Sequence, residues 1–428
     1  MHGITLIALV VTIVVLLILA GITISLVFSE NGIIAKAREA ANKTNEAIIN
    51  EQAQMNDVTV AMENMLNGTG GSETTPEEPE GCPAEEFEKW NGTSDEKVNA
   101  VQSTDTTPIT VPVPKGYTAS KVTGETTVEG GFVIYEGEEV VNDTNKDTAQ
   151  TTRNQFVWVP VANPNEMYGT DKDGKKWGKL YDFSAGGITP YNWTEEDGVM
   201  SITATSSFDS YREPDVVTGS DGTPSYDADN TNLQQAGLDV SATADTFKTQ
   251  LETEFNNMIA SVEKYGGFYI GRYETGNLSQ AEAVVVKNNT DIASQTWYTM
   301  YNKSKGVAAS SNVTTSMIWG CQWDAVMRWM YNSGDEEKKT YTYDSTGKGN
   351  YSGSRKATGS DPEYAVNNIY DMAGNVFDWT IEAFSTNYRV FRGGLYNSNA
   401  SDSPASYRGN NDPTDSNSDY GSRLALYM

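Results

Sequence analysis

The chain has 428 residues and a formal charge of −28, from 58 acids against 30 Lys and Arg. That balance leaves no basic face to displace counterions from a nucleic acid. One His and two Cys remove imidazole acid/base chemistry, His-ligated metals and a disulfide scaffold. The length corresponds to about two or three structural units, and nine Trp with 23 Tyr can build a core.

Residues 1–28 carry no formally charged side chain, and 4–28 is a run of Ile, Leu, Val and Ala. At this length it is expected to cross a bilayer as a helix, being longer than a secretory signal's apolar core. Ile34, Ala37, Ala41, Ile48, Met55, Val58, Met62 and Met65 then keep one heptad register, interrupted at Thr44 and Glu51. Residues 29–67 are therefore expected to form an amphipathic stalk helix, either packed on neighbours or solvated. Residues 68–99 open with Gly, Pro and Ser and, through Glu88, seven acids without a base, which reads as an extended linker. Cys82 lies in this linker; whether it pairs with Cys321 is left open by the sequence.

From residue 100 the texture changes to short strands and turns. Residues 109–114, 131–136 and 156–161 are β-branched or aromatic runs, and 100–154 is expected to be a small β-rich segment packing on a main domain at 155–428. Asp173-Gly174 signals a hairpin turn, and it lacks the later acids of a calcium loop. Residues 193–235, polar and rich in Asp, Ser, Thr and Gly, read as a long surface loop. Phe247, Leu251, Phe255, Met258, Ile259 and Val262 mark one face of a helix, a strand follows within 266–276, and a second helix centres on 321–330. Short strands with two main helices give an α+β class.

Two stretches resemble known families. The start MHGITLIALVVTIVVLLILAGITI resembles a type IV prepilin N-terminus, with a leader at 1–3 cleaved between Gly3 and Ile4. Ala8 stands where that family has a glutamate, and the leader has no Lys or Arg. The resemblance implies an exterior domain anchored in membrane lipid through residues 4–28, with a short cytoplasmic N-terminus, or a pilin-like filament subunit with helix partners. Farther on, GGFYIGRYETGN, QWDAVMRW, NIYDMAGNVFDWT (368–380), RVFRGG (389–394), SYR (406–408) and GSRLAL (421–426) occur in the order of the formylglycine-generating-enzyme, or sulfatase-modifying-factor, family. This implies a C-type-lectin-like variant of the α+β fold over about 155–428. Formylglycine generation resembles a copper-thiolate oxidation that needs two cysteines after the Arg-Gly-Gly strand, and LYNSNASDSPASYR has none. The related iron chemistry needs histidines, and the chain has only His2. The scaffold without its oxygenase chemistry is therefore expected, and no catalytic residue is assigned. The family's Gly-Asn-Val-Trp-Glu loop resembles a calcium site, and its counterparts here are Gly374, Val376 and Asp378.

Between RVFRGG and GSRLAL lies 396–420, in which Asn, Ser, Asp and Tyr fill 18 of 25 positions. A single adenine change in an Asn codon gives Ser, Asp or Tyr. The layout resembles the variable proteins of diversity-generating retroelements, which vary a ligand-facing surface at the end of a C-type-lectin-like domain. Tyr contact area with adaptable Ser and Asn hydrogen bonding is paratope chemistry. Candidate contact residues are Tyr396, Asn397, Ser398, Asn399, Ser401, Asp402, Ser403, Gly409, Asn410, Asn411, Asp412, Asp415, Ser416, Asn417, Ser418, Asp419 and Tyr420. Arg392, Arg408 and Arg423 are assigned to the scaffold, and Trp323 and Trp379 to the core. The expected function is a surface-displayed binding protein for a protein or glycan ligand.

Overall fold

A computed structural model describes residues 96–102, 105–191, 193–202, 231–276, 284–289, 294–307, 313–384 and 388–428. All fall in the second of the two units into which the chain divides, Pro79–Met428. The expected leader, membrane helix and stalk, and the linker up to residue 95 with Cys82, lie outside the described residues; 96–99, expected as linker, open strand β1. Among the described residues no helix is long and apolar enough to cross a membrane.

The described part opens with an antiparallel pair, β1 (Glu96–Gln102) and β2 (Asp105–Val113). Then follow β3 (Tyr117–Ala119), β4 (Val133–Glu136), helix α1 (Lys146–Thr152) and β5 (Gln155–Pro160). Three short hairpins come next: β6 (Tyr168–Thr170) with β7 (Lys176–Gly178), β8 (Tyr181–Ser184) with β9 (Gly187–Pro190), and β10 (Trp193–Glu196) with β11 (Val199–Ile202). The first is closed as expected, with Gly174 at φ +84° and Asp171 Oδ1 accepting from the amides of Asp173 and Lys175. The third occupies the start of the stretch 193–235 expected as a long loop, of which 203–230 lie outside the described residues. Asp197-Gly198 turns with both φ values positive (+51° and +76°), the pair that a tight hairpin selects. The far end of that stretch forms the short helix α2 (Thr231–Gln235).

The expected amphipathic helix is α3 (Ala244–Tyr265), opened by a Thr243/Thr246 capping box and stopped by Gly266 at φ +76°. Its Leu251, Phe255, Met258, Ile259 and Val262 are fully buried. β12 (Gly267–Gly271) follows directly, then α4 (Trp297–Ser304), β13 (Thr314–Met317), α5 (Gly320–Tyr331) and α6 (Glu336–Tyr343). α4 and α6 were not anticipated. Each is only eight residues long and carries too few apolar repeats to announce itself. The remaining strands are β14 (Ala365–Val366), β15 (Ile369–Tyr370), β16 (Phe377–Ala383), β17 (Arg389–Arg392), β18 (Arg408–Asn411), β19 (Tyr420–Ser422) and β20 (Leu424–Tyr427).

Two sheets organise these elements. The larger has six strands in the order β13-β20-β12-β5-β4-β3, so the chain's last strand sits inside the sheet. The smaller has the order β18-β17-β16-β19, with β16 and β19 parallel. Strands from the segment 100–154 are therefore the edge of the main sheet, since β4 pairs directly with β5.

Buried polar contacts lock that edge in place. Arg272 Nη1 lies 2.6 Å from Glu125 Oε1, both side chains 3% exposed. The same nitrogen donates to Tyr135 Oη and Gln155 Oε1, while Ser120 Oγ donates to Glu125 Oε2 at 2.6 Å. Asn368 Nδ2 donates to the carbonyls of Gly124, Gly130 and Gly131. Truncating one partner of a buried ion pair strands the other charge. Arg272→Ala is therefore expected to lose about 3–5 kcal/mol of unfolding free energy. Urea titration followed by tryptophan emission checks this, and a loss below 1 kcal/mol would contradict it.

Candidate binding face

Residues 396–420 run between two fixed elements, β17 and β20, and include β18 and β19. Their main chain is held from many sides. Tyr396 N donates to Asn375 O, Gly353 N to Tyr396 O, Ser345 N to Ala400 O and Trp297 N to Pro413 O, at 2.8–3.2 Å. Trp323 Nε1 donates to Ala405 O at 2.9 Å, and Tyr351 Oη to Ser403 O at 2.6 Å. Arg355 Nη1 reaches Ser418 O, and Phe377 N donates to Asp419 O. These bonds engage tract carbonyls and amides, so they do not read the tract's side chains.

Beneath the tract lies a buried charge network. Arg392 pairs with Asp324 Oδ1, both fully buried. Arg408 Nη2 meets Asp324 Oδ2 at 2.7 Å, and its Nε lies 3.0 Å from Glu382. The Arg408 guanidinium also sits 4.4 Å from the Tyr191 ring centroid, tying the β8–β9 hairpin to β18. Arg423 donates to Asp378 Oδ2 and to the carbonyls of Gly271 and Tyr370. All three arginines thus bind across the scaffold, and Trp323 and Trp379 are fully buried.

The candidate contact residues separate into three groups. Asn397, Asn399, Ser401, Asp402, Ser416, Asn417 and Ser418 are exposed, while Tyr396, Ser398, Ser403, Asn410, Asn411, Asp412, Asp415 and Asp419 are half-buried. Within these, Asn399, Asp412, Asp415 and Asn417 each accept from a backbone amide two residues on, at 2.8–3.2 Å, and so shape the local turns. Gly409 and Tyr420 are buried and leave the contact set. Tyr420 packs 4.8 Å from Trp379 and 5.2 Å from Phe391, with its hydroxyl accepting from Asn411 Nδ2. A Cβ on Gly409 would lie 2.4 Å from Phe391 ring atoms. The glycine therefore exists to admit that ring. Sequence reasoning missed Phe377 and Tyr407, half-buried rings stacked at 6.0 Å beside this cluster. Their only signal was aromatic identity, Phe377 two residues before Trp379 on β16 and Tyr407 just before β18.

At the expected calcium loop the one carboxylate is already paired through one of its oxygens. Asp378 is buried with its Oδ2 3.1 Å from Arg423 Nε. The Val376 amide donates to Glu274, and Gly374 is pressed on the Asn350 main chain. Calcium needs six to eight oxygens, and among the described residues no group of three or more His, Cys, Asp or Glu is arranged to hold a metal.

Asp378 belongs to a buried acidic group with Glu274 and Asp371 around the single Arg423. Burial raises Asp378 from 3.8 to about 6 despite that guanidinium. Burial also pushes Glu274 well above its ordinary 4.5, against the hydrogen bond from Asn375 Nδ2 at 2.5 Å. Both carboxyls hold protons more tightly folded than unfolded. Their share of stability is complete below the unfolded values and is lost as pH rises through about 6 and beyond. Glu274→Gln keeps a neutral group there, at a cost of about 1 kcal/mol for one mismatched donor. It is expected to flatten the fall of melting temperature with rising pH; an unchanged slope in scanning calorimetry would contradict this.

A second expectation separates packing from display within β18. Gly409→Ala should cost about 1–3 kcal/mol by displacing the Phe391 ring, while neighbouring Asn410→Ala should stay within about 0.5 kcal/mol. Thermal denaturation of the two variants side by side measures the difference.

Comparison with known proteins gives the following. Treponema denticola variable protein 1 is 14% identical, with a TM-score of 0.22, covering 61% of this chain and 98% of that one. The CarF crystal structure is 15% identical, with a TM-score of 0.30, covering 38% and 87%. PvdO from Pseudomonas aeruginosa is 18% identical, with a TM-score of 0.25, covering 38% and 82%. No curated protein matches the chain. Residues 238–428 match the family model described as the sulfatase-modifying factor enzyme 1-like domain.

Proposed function

We propose that this protein is a non-catalytic binding protein whose C-terminal domain presents an exchangeable recognition face, displayed outside the cell from a membrane segment at 4–28. The observation that carries the reading is the division of labour in 396–420. The scaffold grips the tract through its main chain, while Asn397, Asn399, Ser401, Asp402, Ser416, Asn417 and Ser418 are exposed. Where an exposed side chain makes no turn bond, such a surface can change the residue without altering the bonds that shape it. Tyr396, Tyr407 and Phe377 add partly exposed aromatic area beside Asn, Ser and Asp, the mixture that suits adaptable protein or glycan recognition.

The oxygenase alternative lacks its ligands. Gly394 to Arg408 contains neither Cys nor His, and Cys321 is buried at the start of α5. Oxygen-dependent conversion of a cysteine-containing sulfatase peptide to formylglycine would revive it.

A library varying the exposed Asn397, Ser401, Asp402, Ser416 and Ser418 together tests the proposal. Most members are expected to unfold cooperatively within a few degrees of the parent, since exposed substitutions cost about 0.5 kcal/mol or less. Selection of that library on unrelated protein or glycan targets is expected to yield different residues at these sites for different targets. Loss of cooperative unfolding in most members, or selection without change at these sites, would overturn the proposal.

A further inference from the structure

A second concave site lies away from the display face. Its cavity of about 300 Å³ opens between the chain leaving β5, the loop carrying Glu129, and one face of α5. Helix residues Ala325, Arg328, Trp329 and Asn332 line it. At positions i, i+3, i+4 and i+7 they form one stripe, Asn332 being the helix's C-cap. The neighbouring Trp323 and Asp324 point into the core and the charge network instead. One helix thus serves both sites with different faces.

The lining has two kinds of surface. The Trp329 indole, Ala325, Val161 and Met167 supply apolar walls. Glu129, Glu166, Arg328, Asn332 and Ser333 supply donors and acceptors. The two lining carboxylates, Glu129 and Glu166, are matched by Arg328 in the lining and by Lys338 beside it. Arg328 Nη2 is 2.6 Å from Glu166 Oε2, and its guanidinium sits 4.5 Å from the Tyr181 ring centroid. Tyr181 Oη donates to Glu166 O at 2.7 Å, and Lys338 Nζ donates to Glu129 O at 2.8 Å. Neither sign of charge is in excess enough to select an ion. The volume lies at the low end for ligand pockets, which suits a single ring.

The geometry points to a binding site for a neutral, hydroxylated ring, a single pyranose residue of a saccharide. One face of such a ring is C–H rich and packs on the Trp329 indole. Its edge carries hydroxyls that both donate and accept, matching the Asn332 amide and the Arg328 and Glu166 groups already paired with each other. A ligand with a full charge would have to compete with that pair.

The test uses the full chain in mild detergent and ligand-observed saturation-transfer NMR. The probes are neutral methyl hexopyranosides, a hexosamine and a hexuronate. The neutral glycosides are expected to show saturation on ring protons and to bind more tightly than either charged sugar. Trp329→Ala is expected to weaken binding by about tenfold or more, the loss of one aromatic face. Ala325→Leu, which fills the cavity, should abolish it; far-ultraviolet melting curves confirm that each variant compared is folded. An Asn397→Ala/Asp402→Ala variant of the display face should bind the glycosides as the parent does, so failure here is separate from failure of the recognition reading. The inference is overturned if no neutral glycoside binds, if a charged sugar is preferred, or if binding survives both pocket substitutions.

Discussion

The placement of the last strand governs this domain. Leu424–Tyr427 enters the six-stranded sheet between β12 and β13, pairing with both. Its approach is fixed by Arg423, whose guanidinium spans Asp378 and the carbonyls of Gly271 and Tyr370. A strand paired on both edges in mid-sheet cannot shift without breaking ladder bonds on two sides. Everything between β17 and β20 is therefore a closed excursion with both ends fixed. That constraint turns a polar, low-complexity tract into a defined surface.

The excursion is held in a particular way. Its carbonyls and amides bond to scaffold groups such as Trp323, Tyr351 and Asn375, and the two candidate contacts that are buried fill structural positions. Tyr420 completes the aromatic cluster of Trp379 and Phe391, and Gly409 leaves space for the Phe391 ring. The Asx-type bonds of Asn399, Asp412, Asp415 and Asn417 form an intermediate layer, where composition matters for turn shape. A polar tract can thus be locally adaptable while its path stays fixed.

Charge is handled differently inside and outside. The chain is strongly acidic, yet its buried carboxylates are gathered around arginines: Glu125 with Arg272, Asp324 and Glu382 with Arg392 and Arg408, and Asp378 with Arg423. Each cluster joins segments distant in sequence. Such pairs contribute little net stability over an apolar filling, but breaking one is costly, which suits them to fixing register between elements.

Much of this was legible from residue order. The periodicity of Phe247 to Val262 specified a buried helix face, and the β-branched runs at 109–114, 131–136 and 156–161 marked strands, because those patterns follow local backbone geometry. The structural roles expected of Arg392, Arg408 and Arg423 agree with their buried ion pairs. Other features depended on distant partners. Nothing local in 100–154 reveals that β4 is a neighbour of β5, and nothing local around Asp378 reveals that it pairs with Arg423. Gly409 and Tyr420 share the composition of their exposed neighbours, and only the rings packed against them decide their burial. Sequence set the elements and the polar character of 396–420 through short-range propensity. Tertiary structure alone chose which of those side chains face outward, because burial is fixed by contacts between strands far apart in the chain.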